Sequence, residues 1–151
     1  MNTSDAHAAD SPEVVKPSRF AAVVMGPLVK ALNPAILKLA GRKHVRMAAQ
    51  IRHVGRKSGR SYVTPAQVRM TGDTFIIPLT FGNVSDWCRN VRDAGGCTIR
   101  LNGTDYRAVQ PEFADRRRAA PVLRAAFTPV DRAAFRVLGI RQYLLLHRAD
   151  A

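Results

Sequence analysis

The dipeptide Asn102-Gly103 lies between two β-prone runs, Cys97–Leu101 and Thr104–Gln110. A two-residue hairpin turn needs positive φ at both central positions, which Asn and Gly adopt at low cost. The pair predicts an antiparallel hairpin. Other strand-like runs follow one another through equally short links. Met47–Val54 leads into a turn at Gly55–Arg60, and Tyr62–Met70 alternates, with Tyr62, Thr64, Ala66, Val68 and Met70 on one face. Thr71-Gly72-Asp73 turns the chain into Thr74–Leu79, rich in β-branched and aromatic residues. Arg141–His147 closes the chain as an apolar strand.

Links this short leave antiparallel pairing as the main option. Three helices are expected beside the strands. Asp86–Ala94 has Asp86 as its N-cap and ends at Gly95-Gly96, and Ala114–Phe127 and Asp131–Leu138 have helical patterns. The expected fold class is mainly β with flanking helices (α+β), with about six antiparallel strands. A small barrel is the natural way to bury such a set. No internal repeat is visible, and 151 residues suit one core without covalent staples.

The N-terminal third reads differently. Residues 1–15 are expected to form a flexible tail, and residues 16–44 a helical segment carrying Phe20, Val23, Leu28, Leu32, Ile36 and Leu39. Pro27 and Asn33-Pro34 divide that segment into short helices. Lys30, Lys38 and the prolines argue against a membrane-spanning helix. A basic amphipathic helix lying on a membrane surface stays open, beside the commoner fate of packing on the domain.

Charge narrows the partner. The formal net charge is +13, and no acidic residue occurs between Glu13 and Asp73, a stretch holding 12 of the 24 Lys and Arg. Such an asymmetry points to an anion: nucleic acid, an acidic membrane surface or an anionic small molecule. Aromatics make up only 7% and are not interleaved with the basic residues, which argues against base stacking and hence against nucleic acid. Two cysteines, Cys88 and Cys97, are too few for a disulfide scaffold. The slightly acidic N-terminus is unlike a secretory leader, so a cytoplasmic protein with reduced thiols is expected. His7, His44, His53 and His147 lack paired-ligand spacing, so no metal site is expected. No Gly-x-Ser-x-Gly elbow or P-loop spacing is present.

The segment with most chemical content is the turn Gly55-Arg56-Lys57-Ser58-Gly59-Arg60. Its glycines allow a tight path in which amide N–H groups converge with cations, a means of gripping phosphate or carboxylate. A solvated basic hairpin is the plain alternative.

This run, followed by Thr64-Pro65, resembles the signature of the deazaflavin-dependent nitroreductase and quinone reductase family, whose coenzyme is F420. Asp86-Trp87-Cys88-Arg89-Asn90-Val91 before Gly95-Gly96 is similar to that family's Trp-x-x-Asn helix. The resemblance spans roughly residues 33–148. It implies a split β-barrel of the FMN-binding type over residues 45–151. It also implies coenzyme F420, an 8-hydroxy-5-deazaflavin with a phosphate and an oligoglutamate tail, with FMN as the lesser alternative. Arg56, Lys57, Ser58, Gly59 and Arg60 would then hold the phosphate and tail, and Thr64 and Pro65 would lie against the ligand. Thr80, Phe81 and Gly82 would line the ring, and Trp87 and Asn90 would complete the site. Trp87 reads equally well as a core aromatic where helix meets barrel.

The implied reaction is hydride transfer from the reduced coenzyme to an electron-poor small molecule: a quinone, an enone or a nitro compound. No catalytic residue is assigned. Gln67 stands where the family has a Tyr, Phe127 and Phe135 lie in the later helices, and Tyr62 and Tyr143 are the ring hydroxyls nearest in sequence. A binder of an anionic cofactor without turnover therefore stays open, as does a basic nucleic-acid-binding barrel. Quinone acceptors would suit contact with the inner membrane face. Split barrels often dimerise, so a homodimer is an expectation of the fold.

Overall fold

The structure, a computed structural model, describes residues 49–150. The expectations for the tail, the helical segment and Met47 lie outside the described residues. Seven strands are present. The first four are β1 (Ala49–Val54), β2 (Ser61–Ala66), β3 (Arg69–Thr71) and β4 (Thr74–Pro78). A single 3-10 turn at Gly82–Val84 precedes α1 (Asp86–Ala94). Then come β5 (Gly96–Leu101), β6 (Thr104–Asp115), α2 (Arg116–Ala126), α3 (Pro129–Val137) and β7 (Gln142–Arg148).

All seven strands form one sheet, ordered β2-β1-β5-β6-β7-β4-β3, and every neighbouring pair is antiparallel. Asn102 (φ 51) and Gly103 (φ 82) close the β5–β6 hairpin in the left-handed region, as their side chains predict. One expectation needs correction: Tyr62–Met70 is two strands, which accounts for seven strands where about six were expected. β2 and β3 occupy opposite edges of the sheet, with buried Val68 on the crossing between them. Alternation says which face a residue takes and nothing about which neighbour its strand joins. Pro65, lacking an N–H, fits an edge strand that pairs only with β1.

The sheet curls. Four strand spacings separate β1 from β4, about 19 Å if the sheet were flat. Yet Ile51 of β1 and Phe75 and Ile77 of β4 share one buried cluster with Ile99, Leu144 and Leu146. Ala66 and Met70, from the two outer strands, pack on the same cluster. This is a split β-barrel, a sheet curled around an apolar interior with β2 and β3 left as its edges. β6 bends midway, where its register slips between Val109 and Glu112 and Gln110 takes φ 56.

A second core lies on the outer face, where α2 and α3 cover Ile76, Ala114, Tyr143 and Leu145. Phe127 and Phe135 meet there edge to face at 4.9 Å. β6 runs on to Asp115, so α2 starts two residues later than the pattern suggested; Asp115 caps it by accepting from the Arg118 N–H at 2.7 Å. The N-cap of α1 is Ser85, not Asp86, which opens the helix proper. Among the described residues no helix is long and apolar enough to cross a membrane.

Candidate functional site

The β1–β2 hairpin and α1 enclose an open cleft of about 560 Å³. Its walls include Arg56, Lys57, Ser58, Thr64, Trp87 and Asn90, six of the residues expected from sequence. The turn that joins the strands forms its rim. Gly55 N–H donates to the Arg60 carbonyl at 2.8 Å and Gly59 N–H to the Gly55 carbonyl at 2.9 Å. Gly59 takes φ +67 with open space around it. At Gly55 a side chain would strike Ser58 Oγ and the Tyr62 ring, at 2.5 and 2.8 Å. The turn therefore needs glycine at Gly59 for conformation, whereas a side chain at Gly55 would have to push the exposed Ser58 and Tyr62 side chains aside.

Arg56 and Asn90 tie the turn to the helix. Asn90 is buried, and its Oδ1 accepts from the Arg56 backbone N–H at 3.1 Å and from Nη1 at 2.9 Å. Arg56 also pairs with Asp86 through Nη2 at 3.0 Å. Asn90 Nδ2, which can only donate, meets His53 Nδ1 at 3.2 Å. His53 Nδ1 is then the acceptor, so Nε2 carries the proton and donates to Thr64 Oγ1 at 3.0 Å. Burial pushes the His53 pKa below its usual 6.5, consistent with this neutral ring. The hydrogen-bonded line Arg56–Asn90–His53–Thr64 thus crosses from turn to helix to both strands of the hairpin.

Against this braced floor, the mobile chemistry sits at the rim. Lys57 is exposed and makes no ion pair among the described residues. Ser58 Oγ lies 3.2 Å from the Tyr62 hydroxyl and accepts from the Arg60 N–H at 3.3 Å. Tyr62 stacks on His53 with ring centroids 5.8 Å apart. Trp87 faces both ways: it walls the cleft and packs on the interior core.

The remaining expected residues stand elsewhere. Gly59 and Arg60 belong to the turn without walling the cleft, and Pro65 lies opposite Gln50 on β2. Thr80, Phe81 and Gly82 follow β4 and are not among the walls. Of the ring hydroxyls, Tyr62 reaches the cleft, whereas Tyr143 is buried in the outer core with Phe127 and Phe135 nearby. Four wall residues escape the sequence reading: His53, Tyr62 as a wall, Val63, and Asp86 as a partner of Arg56. A signal for the last was present, because Asp86 and Asn90 are four apart on one helix and so face one neighbour. No metal-binding cluster occurs among the described residues.

No family model matches the chain, and no curated protein does. A solved structure described as a domain-swapped dimer is 12% identical, with a TM-score of 0.50, covering 82% of this chain and 99% of that one. An F420-H2 dependent reductase, FDR-A, is 11% identical (TM-score 0.47; 68% and 95% covered), and an F420 reductase is 13% identical (TM-score 0.45; 74% and 91% covered). At these identities the likeness is one of fold.

Proposed function

We propose that the protein is an oxidoreductase that uses reduced coenzyme F420 to transfer hydride to an electron-poor acceptor: a quinone, an enone or a nitro compound. The observation that carries this reading is the convergence of two separate motifs, the Gly-bracketed basic turn and the Trp87–Asn90 helix, on one cleft. Those motifs are the ones that resemble the deazaflavin-dependent family, and the fold brings together what 30 residues of sequence keep apart.

The residues present fit the group. A cleft of about 560 Å³ lies within the usual range for cofactor sites, about 300–1,000 Å³. In this reading the side chains of Lys57 and Arg60 hold the anionic phosphate and tail at the rim. Tyr62, Thr64 and Trp87 flank the ring, while Pro65, Thr80, Phe81 and Gly82, which do not wall the cleft, are left without an assigned contact. Arg56 and Asn90 position the turn, since their polar groups are already committed to each other and to Asp86. When bound, the coenzyme supplies the hydride. The protein supplies orientation and shields the transfer from water, and the Tyr62 hydroxyl is the cleft's phenolic proton carrier. A homodimer in the cytoplasm is part of the same reading.

Steady-state oxidation of the reduced coenzyme, with a soluble quinone, an enone and a nitroarene as acceptors, tests it. Expected is saturable turnover with at least one class. Lys57→Ala should raise the KM for the long-tailed coenzyme more than for a tail-less deazaflavin. Absence of turnover with all three classes would remove the enzymatic claim.

A further inference from the structure

On the outer face of the sheet, α2 and α3 enclose a smaller cavity of about 130 Å³ that shares no wall residue with the cleft. Arg116, Arg124, Arg132 and Arg136 stand around it, with Leu123 and Tyr143, and no carboxylate is among its walls. None of the four arginines makes an ion pair among the described residues.

Arg124 and Arg136 stand in the last turns of α2 and α3, where the helix dipole favours cations, but two other features of the cluster are unfavourable. Arg132 and Arg136 are four apart on α3, a spacing at which like charges repel. Arg116 opens α2, whose first turn is Arg116-Arg117-Arg118 with no acid, where the positive end of the helix dipole disfavours cations. Tyr143 adds a neutral donor. It is 1% exposed, and its hydroxyl oxygen accepts from Arg116, because a guanidinium only donates. Burial pushes its pKa up, so the hydroxyl keeps its proton at neutral pH and has it to give.

We propose that this cavity is an anion site for a phosphate-class oxyanion, inorganic phosphate or a phosphomonoester head, held by Arg124, Arg132 and Arg136 with the Tyr143 hydroxyl as a further donor. Guanidinium forks match the oxygens of such a group in pairs. With about 30 Å³ per liquid water, a volume of about 130 Å³ is room enough for a tetrahedral oxyanion between the guanidiniums. The site is independent of the coenzyme reading for the cleft.

The test is thermal unfolding of the full chain against inorganic phosphate, with ionic strength held constant by sodium chloride. A saturable rise in Tm with phosphate, absent with chloride, is expected. Arg132→Gln with Arg136→Gln should weaken the phosphate response at least about tenfold. Arg124→Gln alone should weaken it too, which covers the case in which the double variant does not fold. Lys57→Ala, in the cleft, should leave the response intact. Vesicles of phosphatidic acid in phosphatidylcholine separate the two sources of the head group. Binding to them alone, lost in the same variants, assigns the site to a lipid phosphomonoester. No phosphate or vesicle binding, or binding retained in the arginine variants and lost in Lys57→Ala, would overturn the proposal.

Discussion

Asn90 Oδ1 accepts two hydrogen bonds from Arg56, from its backbone N–H at 3.1 Å and from Nη1 at 2.9 Å. One buried amide oxygen thus fixes both where the basic turn begins and where its first cation points. The arginine best placed by sequence to grip an anion is instead fastened to the helix. Lys57, the next cation of the turn, is exposed at the rim.

This division of labour separates two neighbouring cations. Arg56→Ala should lower stability by about 1–3 kcal/mol, since it frees one side of a buried acceptor. Lys57→Ala should change stability by less than about 0.5 kcal/mol. Asn90→Leu, which strands both the Arg56 N–H and His53 Nδ1, should cost about 2–4 kcal/mol. Urea unfolding of the three variants decides it: equal small effects for Arg56 and Lys57 would refute the brace.

Burial holds the His53 pKa below 6.5, so in mildly acid solution the unfolded chain binds a proton that the folded chain does not. The corresponding stability is fully present above pH 6.5 and is lost as pH falls through the folded-state value, at up to about 1.4 kcal/mol per pH unit. Protonation at Nδ1 would also break the bond from Asn90. His53→Gln should flatten this part of the stability profile between pH 7 and pH 5. An unchanged slope in the variant would show that other groups carry it.

Glycine is required at Gly96 for a reason unlike those in the basic turn. A Cβ there would collide with the backbone carbonyl of Ala108 on the paired strand, which cannot move aside without opening the sheet. Gly96→Ala should cost more than about 2 kcal/mol, and it should shift the start of β5 together with α1. A variant that unfolds at the wild-type denaturant midpoint would contradict this.

Burial pushes the thiols of Cys88 and Cys97 up to about 12. Both stay protonated at pH 8, and a thiol reagent should label the buried Cys88 only as fast as the chain opens, the half-buried Cys97 sooner. Rapid native-state labelling of Cys88 that accelerates no further in denaturant would contradict this.

Much of this was legible in sequence because the signals were local. Asn102-Gly103 has one good backbone solution, Gly95 ends α1 in the left-handed conformation it permits, and the apolar runs of β4 and β7 mark them as strands without knowledge of partners. What was not legible depends on distant pairing. Gln67 and Val68 carry no marker saying that the chain passes to the opposite edge of the sheet. In the cleft, the turn and the Trp87–Asn90 helix were recognisable as motifs. That Arg56 would be spent on Asn90, and that His53 would carry a fixed tautomer at the floor, depends on contacts 34 and 37 residues apart.

The most direct measurement is a titration of the purified protein with oxidised and reduced coenzyme F420, alongside FMN, followed by Trp87 fluorescence. Trp87, the single tryptophan of the chain, walls the cleft, so a ligand there must change its surroundings. The account predicts saturable quenching by the deazaflavin, weakened by Lys57→Ala, with a smaller response to FMN. No saturable change with either redox form of the deazaflavin would contradict it.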